Sequence, residues 1–264
     1  MFLDGTAALS VKNPSVLAQS ICDRRLGVGA DGLVLLLPSA RADVRMRIIN
    51  ADGSEAEMCG NASRCVPLHL LRHGLTTSKQ VSLETLAGII HTKVIDQDCG
   101  LVQVDMGRPR LRRAEIPVAG SADDQAIGMP VGVDGKTFFG TAVSMGNPHF
   151  VIFVDNVEEI PLEKYGPVIE KHPLFPRKTN VEFVQMLNKY TLRMRVWERG
   201  AGVTRACGTG ACAAAVAGVI NNKTAEKITV KLDGGDLHIE WPHHEQVLMT
   251  GLAQEVFIGE YNER

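Results

Sequence analysis

The sequence has no long hydrophobic run, no block of charge of one sign and no recognisable export signal. Its 28 Lys and Arg residues nearly balance 30 Asp and Glu residues over 264 positions, which gives a net charge of −2. No apolar run approaches the roughly 20 residues of a membrane-spanning helix. No basic block offers a surface for nucleic acid or an anionic membrane, and Met1 to Gly5 does not resemble a signal peptide. These absences predict a soluble, cytoplasmic protein that binds neither nucleic acid nor a membrane.

Cys-x-x-Cys pairs and a glycine-rich dinucleotide fingerprint are also missing. The intervals Cys59/Cys65 and Cys207/Cys212 do not match the usual zinc patterns. With six cysteines in 264 residues and no export signal, disulfides are not expected. The missing fingerprint removes support for a nicotinamide cofactor. We therefore expect reduced thiols, no bound metal and no cofactor.

The hydrophobic pattern predicts mostly strands with a few helices, in an α+β fold. At 264 residues, the chain can form one large domain or two of ordinary size. We expect two pseudo-symmetric lobes, each a mixed, largely antiparallel β-sheet wrapped around a central helix, with the active site in the cleft between them. Residues 1–108 form the lobe that carries Cys59, and residues 109–254 form the lobe that carries Cys207. A C-terminal strand at about 255–264 is expected to return to the first lobe.

Local patterns place the individual elements. Ser15 to Arg25 has helical spacing after Pro14. Gly60 to Arg72 also reads as a helix, with a bend or an early break expected at Pro67. The predicted strands are Leu33–Leu37, Val44–Asn50, Gln80–Glu84, Ile89–Val94, Leu101–Asp105, Thr137–Val143, Phe150–Val154, Val181–Met186, Leu192–Trp197, Ile228–Leu232, Leu237–Trp241 and Val247–Thr250.

A Cys-Gly pair opens a helix once in each half of the chain. Cys59-Gly60-Asn61 precedes the first helix, and Cys207-Gly208-Thr209 precedes a helix to about Ile220. The residues of this second helix are almost all Ala, Val, Cys and Gly, so the helix is expected to be buried on every side. Unpaired N–H groups at a helix start favour a thiolate and predict a lowered thiol pKa and a carboxylate-binding nest. Two such thiols suit proton transfer at opposite faces of one carbon, whereas the alternative is a pair of buried structural cysteines.

Polar loops precede both cysteines. The segment from Asn50 to Glu55 leads to Cys59, and Glu198-Arg199-Gly200-Ala201-Gly202 leads to Cys207. Such strings are often plain turns. Arg199 is suited to bidentate carboxylate recognition, or else forms a surface ion pair with Glu198. His149, at the end of Ser144-Met145-Gly146-Asn147-Pro148-His149, is at best a supporting residue.

These segments together resemble the diaminopimelate epimerases. The resemblance extends from about Ser20 to the C-terminus and implies cofactor-independent epimerisation of LL-diaminopimelate to the meso form, for lysine and peptidoglycan precursors. One cysteine acts as thiolate and the other as thiol at the α-carbon, in a cytoplasmic homodimer. The carrying segments are Asn50-Ala51-Asp52-Gly53-Ser54-Glu55-Ala56-Glu57-Met58-Cys59-Gly60-Asn61, Ser144 to His149, Lys178-Thr179-Asn180, Trp197 to Gly202 and Ala206-Cys207-Gly208-Thr209-Gly210-Ala211-Cys212.

The resemblance also implies roles for individual residues. Cys59 and Cys207 match the catalytic pair, and His149 matches a histidine near one thiol. Helix-start residues hold the α-carboxylate, and Glu198 with Arg199 grips the distal amino-acid end. The full set of implied substrate-binding residues is Asn50, Gly60, Asn61, Asn147, Asn180, Glu198, Arg199, Gly208 and Thr209.

The sequence departs from the family pattern at its start. The His-Gly-x-Gly-Asn-Asp-Phe motif is absent, and Met1-Phe2-Leu3-Asp4 resembles the tail of the strand that carries it, so weak or absent activity is expected. Ala62-Ser63 and Pro67 are smaller departures beside Cys59.

Two alternatives remain. A proline or hydroxyproline racemase-type enzyme usually has His where Asn61 stands, and its substrate lacks a second polar end for Glu198 and Arg199. The other alternative is an inactive homologue that acts as a binding protein.

Overall fold

The computed structural model describes residues 1–57 and 59–262, and the chain forms two compact units. The first unit comprises residues 1–104 and the chain from Leu252 onward; the second comprises residues 105–251. Each unit combines a mixed β-sheet with few helices, which confirms the predicted α+β class. No helix in the described ranges combines the length and the apolar character that crossing a membrane requires.

The first unit is built on a sheet whose strands run in the order β1-β2-β3-β5-β6-β7, with β4 beside β3. The pairs β1/β2 and β3/β5 are parallel, and the others are antiparallel. Its elements are β1 (Phe2–Leu3), α1 (Gly5–Ser10), α2 (Pro14–Ile21), β2 (Gly32–Leu37), β3 (Val44–Asn50), β4 (Glu55–Ala56), α3 (Gly60–Arg72), β5 (Gln80–Thr85), β6 (Gly88–Asp96) and β7 (Leu101–Asp105).

Helix α2 covers β2 and β3 and ends earlier than the sequence predicts. Its inner face packs Leu17 and Ile21 against the buried face of these strands. The helix stops at Ile21 rather than continuing to Arg25, because the Asp23 carboxylate accepts the backbone N–H groups of Arg25 and Leu26, both at 2.7 Å. This turn competes with a further helical turn.

Helix α3 continues through Pro67 to Arg72, so the predicted early break is wrong. The buried side chains of Val66 and Leu70 flank the proline, and Leu68 packs with Val94. This tertiary packing offsets the hydrogen bond that proline removes, a loss of about 3 kcal/mol.

The second unit has the strand order β16-β15-β14-β12-β11-β10-β9-β8, with β13 beside β12. The pairs β10/β11 and β12/β14 are parallel, and the other pairs along this path are antiparallel. Its elements are β8 (Met129–Val133), β9 (Lys136–Ser144), β10 (Pro148–Val154), α4 (Leu162–Glu170), β11 (Asn180–Asn188), β12 (Thr191–Glu198), β13 (Gly202–Thr204), α5 (Gly208–Ile220), β14 (Lys227–Leu232), β15 (Gly235–Glu240) and β16 (Leu248–Leu252).

Helix α5 is the central helix of the second unit. Every residue from Gly210 to Gly218 is buried, and the helix contacts β9, β10, β11, β12, β14 and β15. The prediction of a helix buried on every side is confirmed. Its small side chains let the strands of the sheet approach it from several directions.

Helix α4 was not among the elements predicted from the sequence, and the C-terminal segment differs from its prediction. Helix α4 forms although it contains Gly166 and Pro167, because Gly166 lets the helix lie against the Trp197 side chain. The predicted C-terminal strand is wrong for residues 255–262, which form no strand. There Val256, Phe257 and Ile258 are exposed, so no sheet neighbour covers them. Residues 263–264 lie outside the described residues.

Candidate active site

Cys59 and Cys207 occupy the same position relative to their helices. Each is the residue directly before a 13-residue helix that begins with glycine. The backbone angles agree closely, with φ −140° and ψ 111° at Cys59 and φ −130° and ψ 110° at Cys207. Neither side chain caps its own helix, so both thiols are left for other chemistry. The first N–H groups of each helix have no intrahelical acceptor and favour a negative charge.

Around Cys59, the first turn of α3 is fixed by its own side chains. The Cys59 carbonyl accepts the Ser63 backbone N–H at 2.9 Å and the Ser63 hydroxyl at 3.0 Å. The Arg64 guanidinium donates to Asn61 Oδ1 at 2.9 Å and to the Gly60 carbonyl at 3.4 Å. Arg64 therefore orients Asn61 in the first turn of α3. Sequence reasoning did not identify it.

Asn50 ends β3 and starts the turn that leads through β4 toward α3. Its amide nitrogen donates to the Ser54 hydroxyl at 2.9 Å, and that hydroxyl donates to Asp52 Oδ1 at 2.6 Å. The Ser54 hydroxyl and N–H lower the pKa of Asp52. Asn50, which the resemblance predicts to bind substrate, therefore lies within a hydrogen-bonded turn. A plain turn was the alternative interpretation of the segment from Asn50 to Glu55.

Cys207 is buried, with 5% of its surface exposed. Burial raises the pKa of its thiol well above the ordinary value of 9.0, and the charges of Glu198 and Glu182 raise it further. The Thr209 hydroxyl and the Gly210 N–H act in the opposite direction. The predicted lowering of the thiol pKa is therefore wrong for Cys207, because loss of hydration outweighs the helix start. Cys207 is protonated at neutral pH.

We expect iodoacetamide to modify Cys207 slowly at neutral pH, because the thiolate is the reactive form. Its rate should rise steeply above pH 9.0, the ordinary value from which its pKa is raised. Peptide mass spectrometry of the folded chain, sampled over time and pH, measures this, with exposed Cys99 as the internal reference. Modification of Cys207 as fast as that of Cys99 at pH 7 would contradict the assignment.

A chain of hydrogen bonds runs from the core of the second unit to the Cys207 sulfur. Glu182 Oε1 lies 2.6 Å from His149 Nδ1, and His149 Nε2 lies 2.9 Å from Asn147 Oδ1. The Asn147 amide nitrogen donates to Thr209 Oγ1 at 3.3 Å, and this oxygen lies 3.5 Å from Cys207 Sγ. Since Thr209 Oγ1 accepts from Asn147, its own proton is available to the sulfur. Five side chains thus form one connected path.

The inner end of this path is a fully buried acid–imidazole pair. His149 and Glu182 are both completely inaccessible to solvent. His149 donates from Nε2 to Asn147, so one proton between Nδ1 and Glu182 completes the pair. Burial raises the pKa of Glu182, His149 lowers it, and Glu198 raises it. Glu182 Oε2 is buried and has no hydrogen-bond partner among the described residues, which leaves His149 as its main source of stabilisation.

Glu182 is a residue that the sequence interpretation missed. It lies in β11 within the apolar run Val181-Glu182-Phe183-Val184, where a buried charged residue is unusual. That contrast was the available signal. The parallel pairing of β10 and β11, with His149 opposite Asn180, brings Glu182 beside the imidazole.

Gly210 permits the close approach of this pair to α5. A Cβ at Gly210 would lie 2.9 Å from Glu182 Oε1 and 3.3 Å from Cys207 Sγ. Any larger residue at position 210 would displace one of these two groups. The glycine after the predicted pair Gly208-Thr209 is therefore part of the site.

Asn180 connects the β10 start to the loop after β12. Its amide nitrogen donates to the Pro148 carbonyl, and its Oδ1 accepts the Arg199 backbone N–H, both at 2.8 Å. The exposed Arg199 guanidinium donates to the Arg177 carbonyl at 3.1 Å. Glu198 accepts the Thr204 hydroxyl, and it forms no ion pair with Arg199 among the described contacts. Asn147, His149 and Thr209 thus lie on the path to Cys207, whereas Asn180 and Glu198 make separate hydrogen bonds within the second unit.

Comparisons with known proteins agree with this arrangement of motifs. The family model for diaminopimelate epimerase matches residues 1–112 and 141–256. A diaminopimelate epimerase from Pelotomaculum thermopropionicum is 56% identical, over 93% of this chain and 88% of that protein. One from Carboxydothermus hydrogenoformans is 58% identical, over 95% of this chain and 90% of that protein.

Solved structures show the same fold at low sequence identity. A hydroxyproline epimerase from Agrobacterium vitis has a TM-score of 0.64 at 18% identity, covering 91% of this chain and 79% of that one. A predicted epimerase from Pseudomonas aeruginosa has a TM-score of 0.65 at 16% identity, covering 95% and 88%. The fold is thus the two-lobed fold of these proteins. The family model matches most of the chain, and the two diaminopimelate epimerases named above are 56% and 58% identical to it. The chain therefore belongs to the diaminopimelate epimerase family.

Proposed function

We propose that this chain epimerises LL-diaminopimelate to meso-diaminopimelate by transferring protons between the two cysteines at its helix starts and the substrate α-carbon, without a cofactor. The observation that carries the proposal is the matched placement of Cys59 and Cys207 at the starts of two 13-residue helices. Family membership supplies the substrate. The product serves lysine and peptidoglycan precursor synthesis, and the enzyme acts in the cytoplasm as a homodimer.

The reaction needs one base and one acid on opposite faces of the α-carbon. In the LL-to-meso direction, the Cys59 thiolate takes the α-proton, and the C–H electron pair remains on carbon as a carbanion. The Cys207 S–H then gives its proton to the other face and becomes a thiolate. The raised pKa of Cys207 supports its role as the protonated partner at rest. The reverse reaction exchanges the two roles, so protons balance in each direction.

The carbanion requires stabilisation by the protein, and the helix starts provide it. The backbone N–H groups of Gly60-Asn61 and of Gly208-Thr209 are suited to hold the α-carboxylate, on which negative charge increases as the proton leaves. Thr209 can also donate its hydroxyl proton to the Cys207 thiolate as it forms. Arg199 and Glu198 are suited to grip the distal amino-acid end by charge.

Deuterium transfer tests the proposal directly. Reduced chain is incubated with LL-diaminopimelate in D2O, and early products are analysed by mass spectrometry. We expect meso product with one solvent deuterium at the inverted carbon, because an exchanged thiol supplies it, and nearly deuterium-free LL substrate. Return of the original proton to the product would indicate a single base.

The same assay addresses the racemase-type alternative. L-Proline and trans-4-hydroxy-L-proline are run in parallel with LL-diaminopimelate under identical conditions. We expect no exchange with either, since neither carries a second amino-acid end for Glu198 and Arg199. Exchange with proline but not with LL-diaminopimelate would overturn the proposed substrate, and exchange with none of the three would contradict the proposed activity.

A further inference from the structure

A second cluster of chemically reactive side chains lies on α3, away from its Cys59 end. His69 and His73 are four residues apart and therefore project from one face of the helix. Glu255, in the segment after β16, reaches both: its Oε2 lies 3.3 Å from His69 Nδ1 and 2.9 Å from His73 Nε2. These three ligand atoms all lie within 4.8 Å of one another. All three residues belong to the first unit.

The far nitrogen of His69 is held by a fourth side chain. His69 Nε2 lies 2.7 Å from Asp4 Oδ2, at the end of β1, and donates its proton to that carboxylate. The bond fixes the tautomer, so the Nδ1 lone pair points toward Glu255. A carboxylate behind a histidine in this way is the usual support for an imidazole that binds a metal.

The two atoms that face each other, His69 Nδ1 and Glu255 Oε2, require a positive charge between them. Glu255 Oε2 faces His69 Nδ1 at 3.3 Å and His73 Nε2 at 2.9 Å. A lone pair on His69 Nδ1 facing this carboxylate oxygen is repulsive unless a proton or a cation lies between them. The rings of His69 and His73 are 4.4 Å apart between centroids, so both imidazoles converge on the same small volume.

We propose that His69, His73 and Glu255 bind one Zn²⁺ ion, with Asp4 orienting His69. Two imidazole nitrogens and one carboxylate oxygen form a donor set that suits zinc. Bonds of about 2.0–2.2 Å in a tetrahedron place ligand atoms roughly 3.3–3.6 Å apart, so the observed 3.3 Å and 2.9 Å from Glu255 Oε2 to the two nitrogens need little adjustment. Water completes the coordination. The ion fastens the irregular C-terminal segment to α3, and this role is separate from the proposed epimerisation.

Cobalt(II) is the first probe, because it reports its ligands by absorption. Titration of the reduced, metal-free chain with Co²⁺ should produce the visible bands of a four-coordinate site, saturating at one ion per chain. Bands from sulfur-to-cobalt charge transfer in the near ultraviolet should be absent. If the sulfur-to-cobalt charge-transfer bands dominate the spectrum and persist in His73→Ala, the cysteines bind the metal and the proposal is overturned.

Zinc affinity then separates the roles of the four residues. In competition with a chromophoric chelator, His73→Ala and Glu255→Gln should lose the tight site, whereas Asp4→Asn should weaken it by about 10–100-fold. His91→Ala, an exposed histidine on β6, is the matched control and should bind normally. Unchanged affinity in all three variants, or no tight site in the parent chain, would refute the site.

Zinc should also protect the C-terminal segment. We expect Zn²⁺ to raise Tm and to slow carboxypeptidase digestion past Glu255 in the parent chain and in His91→Ala. His73→Ala should show neither effect while keeping the parent circular dichroism spectrum. Since neither readout depends on epimerase activity, failure of the proposed reaction would leave this test intact.

Discussion

Replacing either Cys59 or Cys207 with alanine is expected to lower the rate of epimerisation by at least about 10³-fold. Proton transfer by a positioned side chain contributes about 10²–10⁴-fold, and each catalytic turnover uses both groups. The two losses should not add in the double variant, because residues that act as a unit are strongly non-additive. Cys99→Ala, at an exposed thiol, is the matched control and should retain parent activity.

The single variants should differ from each other in deuterium exchange. Cys207→Ala retains Cys59, so we expect slow exchange of the LL-substrate α-proton with solvent and no inversion. Cys59→Ala retains only a buried thiol whose pKa is raised, so its exchange should require higher pH. Mass spectrometry of recovered substrate, with Tm as a folding check, measures both effects. Equal turnover in parent and Cys207→Ala would show that Cys207 is not one of the bases.

Patterns local in sequence predicted much of this site. Cys-Gly before an apolar stretch identified the two helix starts, and the Ala-rich composition of α5 identified a helix buried on all sides. Both features depend on backbone capping and on hydrophobicity, which neighbouring residues determine. The placement of His149 near a thiol followed only from the family resemblance, which did not say which of the two thiols it was.

Features that depend on distant partners could not be predicted in the same way. Glu182 meets His149 through the register of two parallel strands, and Glu255 meets His73 from 182 positions away. The pKa of Cys207 was expected to fall because a helix start favours a thiolate. It rises because the completed fold removes water from the sulfur, a quantity that no local pattern contains.

Glu182→Gln is expected to lower kcat by about 10–100-fold, the range for groups that orient a functional imidazole from behind. The Gln amide can still donate to His149 Nδ1, so the ring keeps its orientation toward Asn147. The amide cannot accept the proton of an imidazolium, so the pair can no longer respond as charge develops on Cys207. KM for diaminopimelate should change little, since Glu182 acts through His149 and is a positioning residue.

Glu170→Gln is the matched control for this substitution. Glu170 is a second buried carboxylate of the same unit, and it accepts the Trp197 indole N–H at 2.7 Å, outside the path to Cys207. We expect Glu170→Gln to keep parent kcat. Both variants should fold, because an amide retains one hydrogen bond at each position, and their Tm values should be compared before kinetics.

The pH dependence of Cys207 alkylation distinguishes positioning from a purely structural role. The charge of Glu182 contributes to the raised pKa of Cys207, so removing that charge should lower this pKa. The modification rate of Cys207 in Glu182→Gln should therefore begin to rise at a lower pH than in the parent, while Glu170→Gln follows the parent curve. A merely structural glutamate would lower Tm without moving the alkylation curve to lower pH. Parent kcat and a parent alkylation curve in Glu182→Gln would together exclude the path from Glu182 to the sulfur as part of the mechanism.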